Sequence, residues 1–179
     1  DAITDLLGCM IAGGGEPLSE MLGEVVFDVP VSPGAPLAAS GRSASPHDSA
    51  LYNGALAHAI DYDDVTHPAY AHPGASIVPA VFATAAFEDI SGAEALSAYI
   101  LGIEMVSNLG RALNTAPYKN GGHASATFGT MGAAATAAAM LRLDADAYAR
   151  SLALAASAAS GLRANFGTMT KPLHVGYAA

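Results

Sequence analysis

Between His58 and His72 the chain gathers three histidines (His58, His67, His72) and three aspartates (Asp61, Asp63, Asp64) within fifteen residues. Charged residues make up only 13% of the 179, so such a concentration stands out from its background. A carboxylate beside an imidazole fixes its tautomer and raises its basicity, the arrangement that general acid–base chemistry uses. Two other places bring polar groups into greasy sequence. Gly121-Gly122-His123 precedes a charge-free run, where a helix N-terminus would offer free N–H groups to an anion. The stretch from Gly161 to Gly176 carries Lys171 and His174. A lysine in such company either snorkels to water or pairs with a negative group.

Each feature also has a plain structural reading. Asp63 and Asp64 could be solvated acids in a turn, His58 a hydrogen-bonded helix residue, and His123 a helix cap. Asp and His are fair ligands for a divalent ion, but no two histidines have the i, i+4 spacing of a helical metal site. The expectation is therefore no metal and no cofactor. A metal-dependent hydrolase built on Asp61, Asp63 and His67 is the minor alternative, and a non-catalytic helical protein is another.

The elements that must position these groups are helical. Hydrophobic residues are 52% of the chain, aromatics 7%, and 41 residues are alanine, the best helix former and a poor strand former. The length suits one domain, residues 1–179. Ala2 to Ala12 reads as a helix stopped by Gly13-Gly14-Gly15, and residues 14–47, rich in Pro and Gly, as irregular connection with a short extended piece at Val25 to Val31. Helical periodicity resumes from Asp48 to about Asp61, which would put Gly54, His58 and Asp61 on one face. Pro68 and Pro73 force Asp63 to Gly74 out of helix. Further helices are expected from Ser76 to Phe87, from the Ser91–Glu94 capping box to Leu113 with Leu96, Ile100, Ile103 and Val106 as its buried face, from Gly129 to Leu141, and from Ala145 to Ser160 after an Asp144 cap. Small residues in the last two predict deep burial of both. The fold class is all-α, a bundle-like array.

Composition also excludes partners. Seven Lys+Arg against sixteen Asp+Glu give a formal charge of −9 and no basic patch, which argues against nucleic acid and against anionic lipid. The uncharged stretches Val65 to Phe87 and Ala124 to Leu141 are too interrupted or too weakly apolar to span a membrane. A single cysteine, Cys9, excludes an internal disulfide and fits a reducing cytoplasm. A start at Asp1 and a stop in mid-pattern at Ala179 suggest part of a longer protein.

The order Asn53-Gly54, His58, Asp61-Tyr62-Asp63-Asp64, His67-Pro68, His72-Pro73-Gly74, then Gly102-Ile103-Glu104, Gly122-His123, the alanine run from Gly132 to Ala139, and Asn165-Phe166-Gly167-Thr168-Met169-Thr170-Lys171-Pro172-Leu173-His174-Val175-Gly176 resembles the MmgE/PrpD family. The resemblance implies an α-helical main domain, with an α+β lid domain absent from this chain. It also implies a homodimer and a metal-free lyase acting on a small anionic polycarboxylate. Carried over by motif, Asp61, His72, His123 and Lys171 are catalytic, while Thr66, His67, Lys171 and His174 bind substrate. Thr66 follows an extra residue, Val65, relative to the decarboxylase pattern of the family. The reaction expected first is dehydration of the 2-methylcitrate type, with decarboxylation of the cis-aconitate type or epimerisation of the iminodisuccinate type as alternatives.

Overall fold

The computed structural model describes residues 1–27, 34–113 and 115–179. Its elements follow the sequence breakers closely. Helix α1 spans Ala2–Gly13 and gives way at the glycine run, and α2 spans Pro17–Val26. A two-stranded antiparallel hairpin, β1 (Ala35–Leu37) and β2 (Arg42–Ala44), pairs Ala35 with Ala44. Then come α3 (Pro46–Ala57), α4 (Gly74–Ala85), α5 (Gly92–Leu113), the single turn α6 (Ala116–Lys119), α7 (Ala124–Met140), α8 (Ala145–Ala158) and, after a 3-10 turn at Arg163–Asn165, α9 (Thr170–Ala178). The all-α expectation holds.

Local chemistry accounts for most boundaries. Ser91 Oγ accepts from Glu94 N–H at 3.2 Å while Glu94 Oε2 accepts from Ser91 N–H at 2.9 Å, the reciprocal box that starts α5. Asp144 Oδ1 accepts from Ala147 N–H at 2.8 Å and starts α8. Helix α3 begins earlier than expected, with Ser45 Oγ accepting from Asp48 N–H at 3.1 Å and Pro46 in the first turn.

Four expectations need correction. Residues 14–47 are not all irregular, because Pro17 opens α2 instead of breaking it. The first helical turn needs no N–H from that position, and proline's φ suits it. The extended piece fails at Val25 and Val26, which end α2, and its remainder from 28 on lies outside the described residues. In α5 the buried face is Ala98, Gly102, Val106 and Gly110, whereas Leu96 and Ile100 are 49% and 53% exposed. The i, i+4 row of small residues brings α5 close against α7, and a Cβ on Gly102 would collide with Thr136 Oγ1. Finally, α7 lies deep among α4, α5, α8 and α9 as expected, but α8 buries only Ala155.

Two packing contacts aim the polar segments. Helix α3 lies against α9, where a Cβ on Gly176 would meet Leu51 O. This close approach brings the C-terminal end of α3 to the start of α9. Asp64, in the loop after α3, accepts from Gly74 N–H at 2.9 Å and so caps α4. A Cβ on Gly74 would stand 2.6 Å from that carboxylate oxygen, so the cap depends on glycine. Among the described residues no helix is long and apolar enough to cross a membrane.

Candidate active site

The expected single face of Gly54, His58 and Asp61 does not form, because α3 ends at Ala57. His58 caps the helix, and Asp61 adopts φ +54°, a left-handed conformation that aspartate tolerates better than most residues. The turn folds His58 inward, 1% exposed, onto the buried carboxylate of Asp63, with Nδ1 2.9 Å from Oδ2. His72, at the far end of the Pro-stiffened loop, approaches the same carboxylate, with Nδ1 3.3 Å from Oδ1 but off the line of a hydrogen bond. Its backbone is pinned by Ser125 Oγ, which accepts from His72 N–H at 3.1 Å.

One carboxylate thus faces two imidazoles through their Nδ1 atoms, and their Nε2 atoms point elsewhere. They converge on Asp61 Oδ1, at 3.9 Å from His58 and 3.8 Å from His72. Lys171, in the first turn of α9, donates to the same oxygen. A cleft of about 410 Å³ opens there, with His58, Asp61, Phe166 and Lys171 in its lining. His72 and His123 do not line it. They pack against the His58 ring, with centroids 4.8 Å and 5.6 Å away.

His123 is held by the backbone pair between Gly122 and Leu162 and by its own N–H donated to Gly161 O at 3.0 Å. It occupies the N-cap position of α7, yet its side chain makes no capping bond, so the plain capping reading fails. Instead its Nδ1 lies 3.3 Å from Nδ1 of His174, whose Nε2 lies 3.4 Å from Asn165 Nδ2. One of two facing nitrogens must donate and the other accept, so a single proton is shared between the rings. Phe166 closes the remaining side, 5.0 Å from the His123 ring and 5.2 Å from Lys171 Nζ.

The charges order themselves by environment. Burial pushes Asp63 up, but the hydrogen bond from His58 and the close approach of the His58 and His72 imidazoles outweigh it and hold the carboxyl at about 2. Burial likewise works to raise Asp61, and Lys171 overcomes it, leaving that carboxyl below its ordinary range. His72 is driven down by burial and more strongly up by Asp63 and Asp61, so it rises above an ordinary histidine. His123 goes the other way, to about 3, because burial and the charges of His58, His174, Lys171 and His72 all disfavour its imidazolium. His174 is lowered by burial. Asp64 is raised to about 6, chiefly by burial.

Of the residues expected in the site, Asp61, His72 and Lys171 meet directly, and His123 and His174 join through the His58 and Phe166 rings. Thr66 and His67 do not join them. Thr66 pairs its backbone with Ala71 and its hydroxyl lies 3.4 Å from Ser107 Oγ, while His67 lines a different cavity. His58 and Asp63 form a pair at the centre of this cluster that was not among the expected catalytic residues, and Asn165 and Phe166 pack beside it. His58, Asp61, Asp63 and His72 also offer donor atoms within 4.8 Å of one another, a set able to hold a divalent ion. His67 is not in that set, so the alternative triad of Asp61, Asp63 and His67 does not assemble. Any ion would have to displace the Lys171 ammonium from Asp61.

The family model of the MmgE/PrpD N-terminal domain matches residues 1–179. The chain is 37% identical over 141 residues to human cis-aconitate decarboxylase, covering 75% of this chain and 29% of that protein. It is 28% identical over 184 residues to cis-aconitate decarboxylase of Aspergillus terreus, covering 99% of this chain and 38% of that protein. It is 27% identical over 186 residues to the cis-aconitate decarboxylase-like protein oryM of Aspergillus oryzae, covering 39% of it. The chain therefore spans between about a quarter and two fifths of the length of these relatives.

Proposed function

This chain belongs to the MmgE/PrpD family, and from that premise we propose that it supplies the helical part of a lyase that decarboxylates a small unsaturated polycarboxylate of the cis-aconitate type. The observation that carries the reading is the layered cluster itself: Asp63 behind two imidazoles, their Nε2 atoms turned toward an Asp61–Lys171 pair at a cleft. The named relatives move the preferred reaction from dehydration to decarboxylation.

Each group has a part that follows from its surroundings. Lys171 attracts a substrate carboxylate and can exchange Asp61 for it without leaving a cation buried alone. His72, whose pKa Asp63 and Asp61 raise above that of an ordinary histidine, is the group we assign as the acid. In decarboxylation the bond between the skeleton and one carboxylate breaks, carbon dioxide leaves, and the electron pair remains on the skeleton. One proton then goes to carbon, and His72, behind the cleft with its Nε2 3.8 Å from Asp61 Oδ1, supplies it by way of the Asp61 carboxyl. His123, lowered to about 3 by burial and the positive groups around it, is too weakly basic to hold a proton behind the cleft. A bound polyanion would offset the surrounding positive charge and raise it, making His123 and His174 a proton reserve that fills only with substrate present.

A second reading keeps the pocket and returns to dehydration of a citrate-like acid, which needs one base and one acid; the opposite shifts of His123 and His72 are the observation that favours it. Incubating the full-length protein, with and without EDTA, with C4 to C7 polycarboxylates separates these readings. Release of carbon dioxide from an unsaturated acid supports the first, and a new ultraviolet-absorbing double bond without carbon dioxide supports the second. Activity abolished by EDTA and restored by a divalent metal would overturn the metal-free mechanism. A folded protein inert toward every acid would overturn both reactions.

A further inference from the structure

Seven lysines and arginines serve this chain of formal charge −9, and three of them, Arg111, Lys119 and Arg163, line one cavity of about 640 Å³ together with His67. No carboxylate is in that lining. Among the described residues none of the three cations has an acidic partner within 4.0 Å, in contrast to Lys171 and Arg142, which do. Arg163 is built into place: its guanidinium lies 4.0 Å over the Tyr118 ring and its Nη1 donates to Tyr118 O at 2.9 Å. Tyr118 in turn stacks on Tyr70 at 5.9 Å. Arg163 Nε is buried and has no hydrogen-bond partner, a donor that desolvation has made costly to leave empty. Arg111 is steadied by Asn108, whose Oδ1 accepts from its Nη1 at 2.7 Å.

We propose that this cavity binds a small polyanion, one carrying two or more carboxylate or phosphate groups, at a site separate from the Asp61–Lys171 cleft. An oriented guanidinium suits a planar or tetrahedral oxyanion through paired N–H donors, and two further cations at the rim suit a second negative group. Cations gathered without built-in counter-charges leave a local positive potential that an anion can use, even in so acidic a chain. The site also gives His67 a use, as one wall of a cavity that the catalytic cluster does not share.

Calorimetric titration of the full-length protein at low ionic strength, with inorganic pyrophosphate in one arm and citrate in the other, tests this. Saturable binding is expected, tighter for pyrophosphate if phosphate is the recognised group and tighter for citrate if carboxylate is. Arg163→Gln should weaken the tighter of the two by about tenfold or more, about 1.4 kcal/mol. The surface double change Arg111→Gln with Lys119→Gln, which leaves the Tyr118 stack intact, should do the same. The same losses with the cavity variants should appear in a Lys171→Met background, where citrate can no longer use the cleft, and added salt should weaken binding in the unaltered protein. Absence of saturable binding to either probe in the Lys171→Met background, or binding there that survives both cavity variants, would overturn the proposal.

Discussion

Two cavities draw on the same two stretches of chain, residues 58–72 and 163–172, and they treat charge in opposite ways. In the cleft, the lysine is matched by Asp61, and two imidazoles are matched by Asp63, so almost every charge has a partner close by. In the cavity around Arg163 the cations have no acid beside them, and Arg163 leans on the Tyr118 ring instead. Paired charges in partial burial fix protonation states and hold geometry, which chemistry requires. Unpaired charges at a rim store attraction for a ligand, which binding requires. The comparison teaches that the location of a cation in this chain says less than whether its counter-charge is built in.

The hardest way to break the paired side is Asp63→Asn. It leaves the shape of the cluster but removes the charge that orients His58 and raises the pKa of His72, and a carboxylate in that position behind an imidazole can be worth about 10⁴-fold in turnover. We expect a loss of about 10³–10⁴-fold in kcat for the full-length protein, measured by carbon dioxide release, together with about 3 kcal/mol of stability from stripping a buried ion pair of one partner. His123→Ala comes next, with about 10²-fold lost and the fold retained, read by turnover and by an unchanged circular dichroism spectrum. A His123→Ala protein that fails to fold would favour a structural role for that ring.

Two neighbouring aspartates sharpen the contrast in stability. Asp63, held at about 2 against an ordinary 3.8, adds stability as pH rises from about 2 to 3.8 and loses it as pH falls through that window. Asp64 has the opposite sign. Raised to about 6, it binds its proton more tightly folded than unfolded, so its contribution is present below 3.8 and is lost as pH climbs through 6. The gap of about two pH units corresponds to about 3 kcal/mol. Urea unfolding should therefore show Asp64→Asn gaining stability relative to the unaltered protein as pH rises from about 4 to 6.5, while His123, lowered to about 3, works in the opposite sense over the same range in both proteins. The smallest effect is expected across the divide, where Lys119→Gln should change turnover by no more than about twofold while altering polyanion binding.

Local rules made much of the fold readable. The Ser91–Glu94 box, the Asp144 cap, the glycines after α1 and the prolines after Val65 act through neighbouring backbone groups, and the elements begin and end near them. What spacing could not reveal is decided by contacts distant in sequence. The face of α5 follows the closeness of α7 rather than the size of its own aliphatics. Helix α3 stops at Ala57 because His58 turns in to meet Asp63, and no periodicity announces a bond formed across a helix end. Lys171 finds Asp61 over 110 residues of separation, a meeting that the motif resemblance anticipated and composition did not. His67, drawn toward the substrate by the motif, lies on the far side because the Thr66–Ala71 pairing turns the loop away from the cleft.

The most direct test follows carboxyl-labelled cis-aconitate with the full-length protein and its Lys171→Met variant by carbon nuclear magnetic resonance in D₂O. The account predicts labelled carbon dioxide from the intact protein, one deuteron in the product for each carboxylate lost, and a loss of rate of about 10²-fold or more in the variant. Equal rates from the two folded proteins would contradict it.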